Sequence, residues 1–337
     1  PFIFVSAAVL LFLLRDTLNE RWAIWSLRRL GYEIKCSSSE FDEPETILGS
    51  ARYLRIIGDR RFDEVALSLL TRCHKLRTLE LGGNTIQPGG LHRLSELPAL
   101  RTLTVTGAEI DDASLDGIQS LTGIESLTLQ GTAIQGEALR NLSSLAEIKD
   151  LWLNDNANLR EFRSVDLRHL KKVISVNLSR TPIAGDCLAW LPNCKDLCLD
   201  GTLIDDETLQ GLSRCNRLEK IWLVGTRVHG KALKNLTSLP FLAELNLSEC
   251  PISDESLRYI PEFRHLRSLT LARTPITDTG LGHLCSATQL KFVGLSYCSH
   301  ITAVGVARLR GSLISASAKD PREPEVWVSW EEVGGAL

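Results

Sequence analysis

Nine cysteines, seven histidines and 41 acidic residues are the groups in this chain that could ligate a metal or attack a carbon. Their spacing decides against both. There is no C-x-x-C pair, and none of His74, His92, His169, His229, His265, His283 and His300 pairs with another at metal-ligand spacing. The nucleophile and phosphate motifs G-x-S-x-G, H-E-x-x-H and a phosphate-cradling glycine loop are absent from the sequence. Gly82-Gly83 and Gly89-Gly90 fall where turns are expected, and a backbone role accounts for them. Cys73, Cys194 and Cys215 stand where leucines otherwise recur, and there a thiol is a small buried hydrophobe. We therefore expect no cofactor, no metal and no catalytic residue. Cysteine at this density favours a reducing compartment.

Binding chemistry is the remaining possibility, and two tryptophans carry it. Trp152 and Trp222 each stand between two apolar residues of an apolar-x-apolar triplet. The other residues in that column are mostly small and polar: Glu80, Thr104, Thr128, Asn177, Cys198, Asn246, Thr270 and Gly294. If the triplets are strands, the column faces away from the core, and a solvated face gives no reason for indole. Asp150, Asn154, Asp196, Asp200 and Lys220 flank the two rings, and aromatics rimmed by polar groups are the usual composition of interface hot spots. A structural alternative stays open: each indole can lie flat on its strand neighbours or touch the C-terminal tail. With the rings three strands apart, their expected separation is about 14 Å.

The triplets come from an internal repeat. Leu54, Leu79, Leu103, Leu127, Leu151, Val176, Leu197, Ile221, Leu245, Leu269 and Val293 open successive copies, at spacings of 25, 24, 24, 24, 25, 21, 24, 24, 24 and 24. Each copy alternates over L-x-x-L-x-L, which reads as a short strand. A turn with Asp, Ser or Thr follows, as in Asp111-Asp112, Asp205-Asp206, Ser253-Asp254 and Thr277-Asp278, where those side chains can cap a helix start. Apolar residues then recur every third position (Leu91, Leu94, Leu97, Leu100), which suits a short helix or 3₁₀ segment behind the strand. The 21-residue copy between Val173 and Cys194 lacks one such turn, and a kink is expected between its strand and the next.

This pattern, over residues 51–310, resembles the leucine-rich repeat family. The resemblance implies an α/β leucine-rich repeat solenoid of about eleven units, a right-handed horseshoe with parallel strands on its concave side and short helices on its convex side. It also implies a bonding residue at the turn after each strand. Here that place holds Asn84, Thr132, Asn156, Thr181, Thr202, Thr226, Cys250, Thr274 and Cys298, with Ala108 as the exception. The last copy, Leu290 to Ile301, resembles the cysteine-containing subtype of F-box proteins, although no F-box-like module precedes it.

The ends differ from the repeats. Residues 1–20 open with an uncharged apolar run, Pro1 to Leu14, too short by itself for the roughly 20 residues of a span. The sequence starts at Pro1 and holds no Met, so we read it as a piece of a longer chain and the run as the end of a membrane anchor. A signal peptide and a packed apolar helix are the rivals. Residues 21–50 read as a juxtamembrane helix and linker. The stretch Arg21 to Tyr32 after an apolar run resembles membrane-anchored bacterial repeat proteins of the planctomycete kind. Arg15, Arg21, Arg28, Arg29 and Lys35 place the repeats on the cytoplasmic side. Residues 311–337 read as a cap or tail, with a strand-like alternation from Glu325 to Trp330.

A net charge of −3 argues against nucleic acid as partner. The expected function is non-enzymatic binding of a protein or peptide on the strand face. A structural, self-assembling role and a place as the non-catalytic part of a larger enzyme are the alternatives. The oligomeric state is not legible in the sequence.

Overall fold

The computed structural model describes residues 20–37, 51–58, 61–83, 85–86, 90–107, 110–160, 170–184, 193–317 and 326–331. It divides into two compact units; the first runs to Asn158 and the second from Val173, with the intervening residues shared between them.

The first unit begins with helix α1 (residues 20–29) and strand β1 (Glu33–Ser37). Then come β2 (Tyr53–Ile57), β3 (Arg61–Phe62), helix α2 (Glu64–Leu70), β4 (Thr78–Gly82), β5 (Thr85–Ile86), β6 (Thr102–Thr106), β7 (Ser126–Gln130) and β8 (Asp150–Trp152). Strand β1 pairs antiparallel with β2, and β2, β4, β6, β7 and β8 continue in parallel order. Strands β3 and β5 form a separate parallel pair. The second unit holds β9 (Ser175–Asn177), β10 (Asp196–Cys198), helix α3 (Asp206–Gln210), β11 (Lys220–Trp222), helix α4 (Leu233–Leu236), β12 (Glu244–Asn246), β13 (Ser268–Thr270), helix α5 (Asp278–Leu284), β14 (Phe292–Gly294), helix α6 (Ala303–Ser317) and β15 (Trp327–Ser329). Strands β9 to β15 pair in that order, all parallel. This is the leucine-rich repeat solenoid.

Register follows from the repeat. The opening apolar residues pair rank on rank, Leu54 with Leu79, Leu103, Leu127 and Leu151 in the first unit. Val176, Leu197, Ile221, Leu245, Leu269, Val293 and Val328 do so in the second. All are buried. A one-residue slip would turn every one of them to solvent, so hydrophobic burial, worth roughly 1.5–3 kcal/mol per large side chain, locks the register. Strands β9 and β10 keep it across the shortened copy. The kink expected there involves residues 185–192, which lie outside the described residues.

Behind the strands, apolar residues at every third position give 3₁₀ segments at Gly90–Glu96, Gly136–Ser144 and Asp254–Glu262, because that spacing matches three residues per turn. At Asp111-Asp112, Asp205-Asp206, Ser253-Asp254 and Thr277-Asp278 the side chains divide two tasks, of which the sequence suggested one. The first residue caps its own segment: Asp205 accepts from the Thr208 N–H at 3.0 Å and Asp111 from the Ser114 N–H at 2.9 Å. The second reaches the next coil. Asp112 accepts from the Gln135 N–H at 2.7 Å, Asp254 from the Thr277 N–H at 2.8 Å and Asp278 from the Thr302 N–H at 2.9 Å. Asp206 accepts from three, His229, Gly230 and Ala232.

The bend after each strand is held by the turn residues. Thr202, Thr226 and Thr274 donate to the carbonyls of Leu199, Leu223 and Leu271 at 2.6–2.8 Å. The thiols of Cys250 and Cys298 donate to Leu223 and Leu271 of the preceding coil at 3.0 Å. Asn156 serves both directions, accepting from the Thr132 N–H and Oγ1 and donating to the carbonyls of Leu129 and Leu153, all at 2.7 Å. Buried backbone carbonyls at a bend require such partners. Asn84 and Ala108 lie outside the described residues.

At the ends, α1 buries Ala23, Ile24 and Leu27, and Glu20 accepts from the Ala51 N–H at 2.6 Å. Within the stretch read as juxtamembrane helix and linker, α1 and β1 thus cover the edge of β2. At the other end β15 covers the edge of β14, and Arg310 of α6 donates to the Val328 carbonyl at 2.7 Å. Residues 1–19 lie outside the described residues, and no described helix is long and apolar enough to cross a membrane.

Candidate functional site

The outward strand faces are where side chains not needed by the core gather. Trp152 lies at the end of β8 in the first unit and Trp222 at the end of β11 in the second, and each has its own neighbours. Trp152 pairs in register with Thr128 and leaves 46% of its surface exposed. Asp150, on the same strand, pairs with Ser126. Asn154 is buried: its amide donates to Asp155 at 2.7 Å, an oxygen that also accepts from Gln130, and its own Oδ1 is buried without a hydrogen-bond partner.

Trp222 is half-buried between Cys198 and Asn246, its partners in register. Lys220, on the same strand, stands between Asp196 and Glu244 and pairs with Glu244 at 3.3 Å. Burial raises the Asp196 carboxyl above its ordinary value, although Lys220 pulls it down. Asp200 accepts from the Val224 N–H at 2.8 Å and lies 3.4 Å from the Cys198 thiol. Of the residues expected around Trp222, then, Lys220 and Asp196 form a charged rim, whereas Asp200 ties two coils together.

The structure adds three aromatics that the central-column reading passed over. Phe292 of β14 and Trp327 of β15 are partners in register, and both are exposed, Trp327 by 67%. Tyr297 beyond β14 is 52% exposed. Phe292 precedes its apolar-x-apolar triplet, so the signal lay one column over. A Cβ on Gly294 would sit 3.3 Å from the Phe292 ring and 2.9 Å from Thr270, so glycine leaves that ring room to lie on the strand. Strand β11 stands three strand spacings from β14, about 14 Å.

Among the described residues no group of three or more His, Cys, Asp or Glu is placed to hold a metal. Cys194 and Cys215 are buried, which pushes both thiols up, Cys215 to about 11, so neither is a thiolate at neutral pH. A cleft of about 230 Å³ is lined by Leu97, Arg101, Ser120 and Gly123, in the segments that lead into β6 and β7. It is smaller than the roughly 300 Å³ at which ligand pockets begin.

Parallel coils stacked in register, with short helical segments behind the strands, define a repeat protein. A family model described as "Leucine Rich repeat" matches residues 72–95, 238–260 and 264–285, so leucine-rich repeats are present in both units. The fold of the chain is similar to that of an internalin, InlF, of Listeria monocytogenes, with a TM-score of 0.51 and 18% identity over 77% of this chain and 84% of that one. A leucine-rich repeat protein of Leptospira interrogans gives a TM-score of 0.49 and 15% identity, covering 77% of this chain and 74% of that one. No curated protein matches the chain. Leucine-rich repeat proteins generally act in protein binding.

Proposed function

We propose that this chain is a non-enzymatic binding module whose outward strand face receives a protein or peptide, and that a membrane anchor tethers it on the cytoplasmic side. The observation that carries the binding reading is the exposure of aromatic rings on a face otherwise lined by polar and charged residues: Trp222, Phe292 and Trp327 in the second unit and Trp152 in the first. Half-exposed indole keeps apolar area that a partner can cover, and indole desolvated in this way dominates interface energies. Strands fixed by a buried core hold these side chains in place, so little ordering entropy is lost on docking. The tethering reading rests on the apolar run from Pro1 to Leu14 and the basic residues after it.

The test is capture of partners by the chain and by a Trp152→Ala/Trp222→Ala variant, followed by identification of what each retains. A protein held by the parent and lost by an equally folded variant supports the face. Identical retention by both removes Trp152 and Trp222 from the reading. A Phe292→Ala/Trp327→Ala variant then decides whether the end of the second unit binds instead.

A further inference from the structure

Helix α1 divides its residues sharply. Ala23, Ile24 and Leu27 are buried against the first unit, while Arg21, Trp22, Trp25, Arg28 and Arg29 face outward. Trp22 is 50% exposed and Trp25 54%, and Leu30 just beyond the helix is 41% exposed. The two indoles lie one turn apart, and each carries an arginine on its ring: Arg72 is 4.9 Å from the Trp22 centroid and Arg29 is 5.3 Å from that of Trp25. Residues 21–30 contain no acid, and Glu20 is buried on the Ala51 N–H. The outward residues of α1 therefore join apolar area to positive charge and include no anion.

We propose that this face lies on an anionic bilayer surface, with Trp22 and Trp25 at the level of the lipid headgroups and Arg21, Arg28, Arg29 and Arg72 on their phosphates. The inference rests on the tethering reading above and deepens it by naming the lipid class and the contacting residues. Indole prefers the boundary between hydrocarbon and water, because its ring is apolar and its N–H needs a polar partner. Arginine stacked over indole keeps the N–H groups around its guanidinium plane available to phosphate. Position agrees with composition. Only residues 15–19 separate the apolar run from α1, so a run inserted in a bilayer holds α1 at its surface. An acidic protein would satisfy the arginines, but it would not explain tryptophans so close to that run.

The full chain is mixed with vesicles of phosphatidylcholine alone and of equimolar phosphatidylcholine and phosphatidylserine, with a quenching label near the lipid headgroups. The expected result is stronger sedimentation with the anionic vesicles, together with quenching of tryptophan fluorescence that Trp22→Phe/Trp25→Phe abolishes. Arg21→Gln/Arg28→Gln/Arg29→Gln should lower the anionic preference more than tenfold, since each cation near such a surface contributes about fivefold. Equal sedimentation with both vesicles, and quenching unchanged by the tryptophan substitutions, overturns the α1 proposal and leaves the tether standing. No sedimentation with either vesicle overturns both.

Discussion

The two units of this chain solve one problem, the bend after each strand, in different ways. In the first, strands β4, β6 and β7 run for five residues, and glycines follow them in left-handed conformation, Gly83, Gly107 and Gly131; only its last strand, β8, runs for three, with Asp155 in that place. In the second, strands run for three residues, and the left-handed place is held by Arg180, Glu249, Arg273 and Tyr297 as well as by Gly201 and Gly225. A side chain in that conformation costs about 1–2 kcal/mol. What it supplies in return is visible at the rim. Arg273 pairs with Glu249 at 2.8 Å and lies 5.0 Å from the Tyr297 ring, a row across three coils that glycine could not build. The same repeat wording thus gives a plain rim in one unit and a charged and aromatic rim in the other, beside the strands that carry Phe292 and Trp327.

The largest effect expected of a single change breaks the first unit at its last bend. Asn156 is wholly buried and makes four hydrogen bonds. Asn156→Ala leaves several buried groups unpaired at about 1–3 kcal/mol each, so we expect more than about 3 kcal/mol of destabilisation in urea unfolding. Thr226→Ala, which removes one hydroxyl bond from a carbonyl that still accepts from the Cys250 thiol, should cost about 1 kcal/mol. Equal losses would mean that the two kinds of bend are equivalent after all.

Next come the coil-to-coil carboxylates of the second unit. A Cβ at Gly280 would lie 2.4 Å from an Asp254 oxygen, and one at Gly305 2.1 Å from an Asp278 oxygen. Gly305→Ala should cost about 1–3 kcal/mol, the usual range for overpacking. In Asp278→Ala the clash is gone, so the second substitution should add little, and the double-mutant cycle measures that coupling. Simple additivity would show that the carboxylate moves aside freely.

Smaller again is the rim itself. Gly225 has φ +65°, and a Cβ added there would meet only the Glu249 carboxylate, at 3.8 Å. Gly225→Ala should therefore lower stability by about 1–2 kcal/mol through backbone strain alone. Glu249→Gly relieves the same strain and should be neutral or stabilising, despite the lost pair with Arg273, because an exposed pair is worth at most about 1 kcal/mol. The same sign for both changes would remove strain as the distinction between the rims.

Much of this was legible in the sequence, because the features that set the fold are periodic. A triplet every 24 residues fixes which side chains meet in register, and leucines at every third position announce the 3₁₀ segments. What escaped was specific to single positions. The stapling role of Asp112, Asp206, Asp254 and Asp278 depends on a partner one coil away, and the capping rule looks only forward along the chain. Asn154 and Asp200 look like surface groups in a column of polar residues, yet burial of one and a backbone bond of the other arise from the left-handed bend, which spacing does not reveal. Phe292 and Trp327 face outward beside each other only because the tail returns to add β15. Strand β1 was hidden because its pairing with β2 runs against the repeat.

The smallest effect concerns the charged rim around Trp222. Burial raises the Asp196 carboxyl above its unfolded value of 3.8, so its contribution to stability is greatest in the protonated form. That contribution is fully present below the unfolded value and is lost as pH rises through the folded one; at neutral pH the ionised group opposes folding. Asp196→Asn should therefore raise the melting temperature at neutral pH and leave it nearly unchanged in acid. A lower melting temperature at neutral pH would instead show that Lys220 depends on Asp196 more than on Glu244. If a partner brings a cation to this rim, it favours the ionised carboxylate that burial disfavours. The complex should then weaken as pH falls toward the folded value of Asp196, and Asp196→Asn should flatten that profile. A binding site for neutral or acidic peptides would show no such slope, which separates a rim built for basic partners from one that only borders the tryptophan.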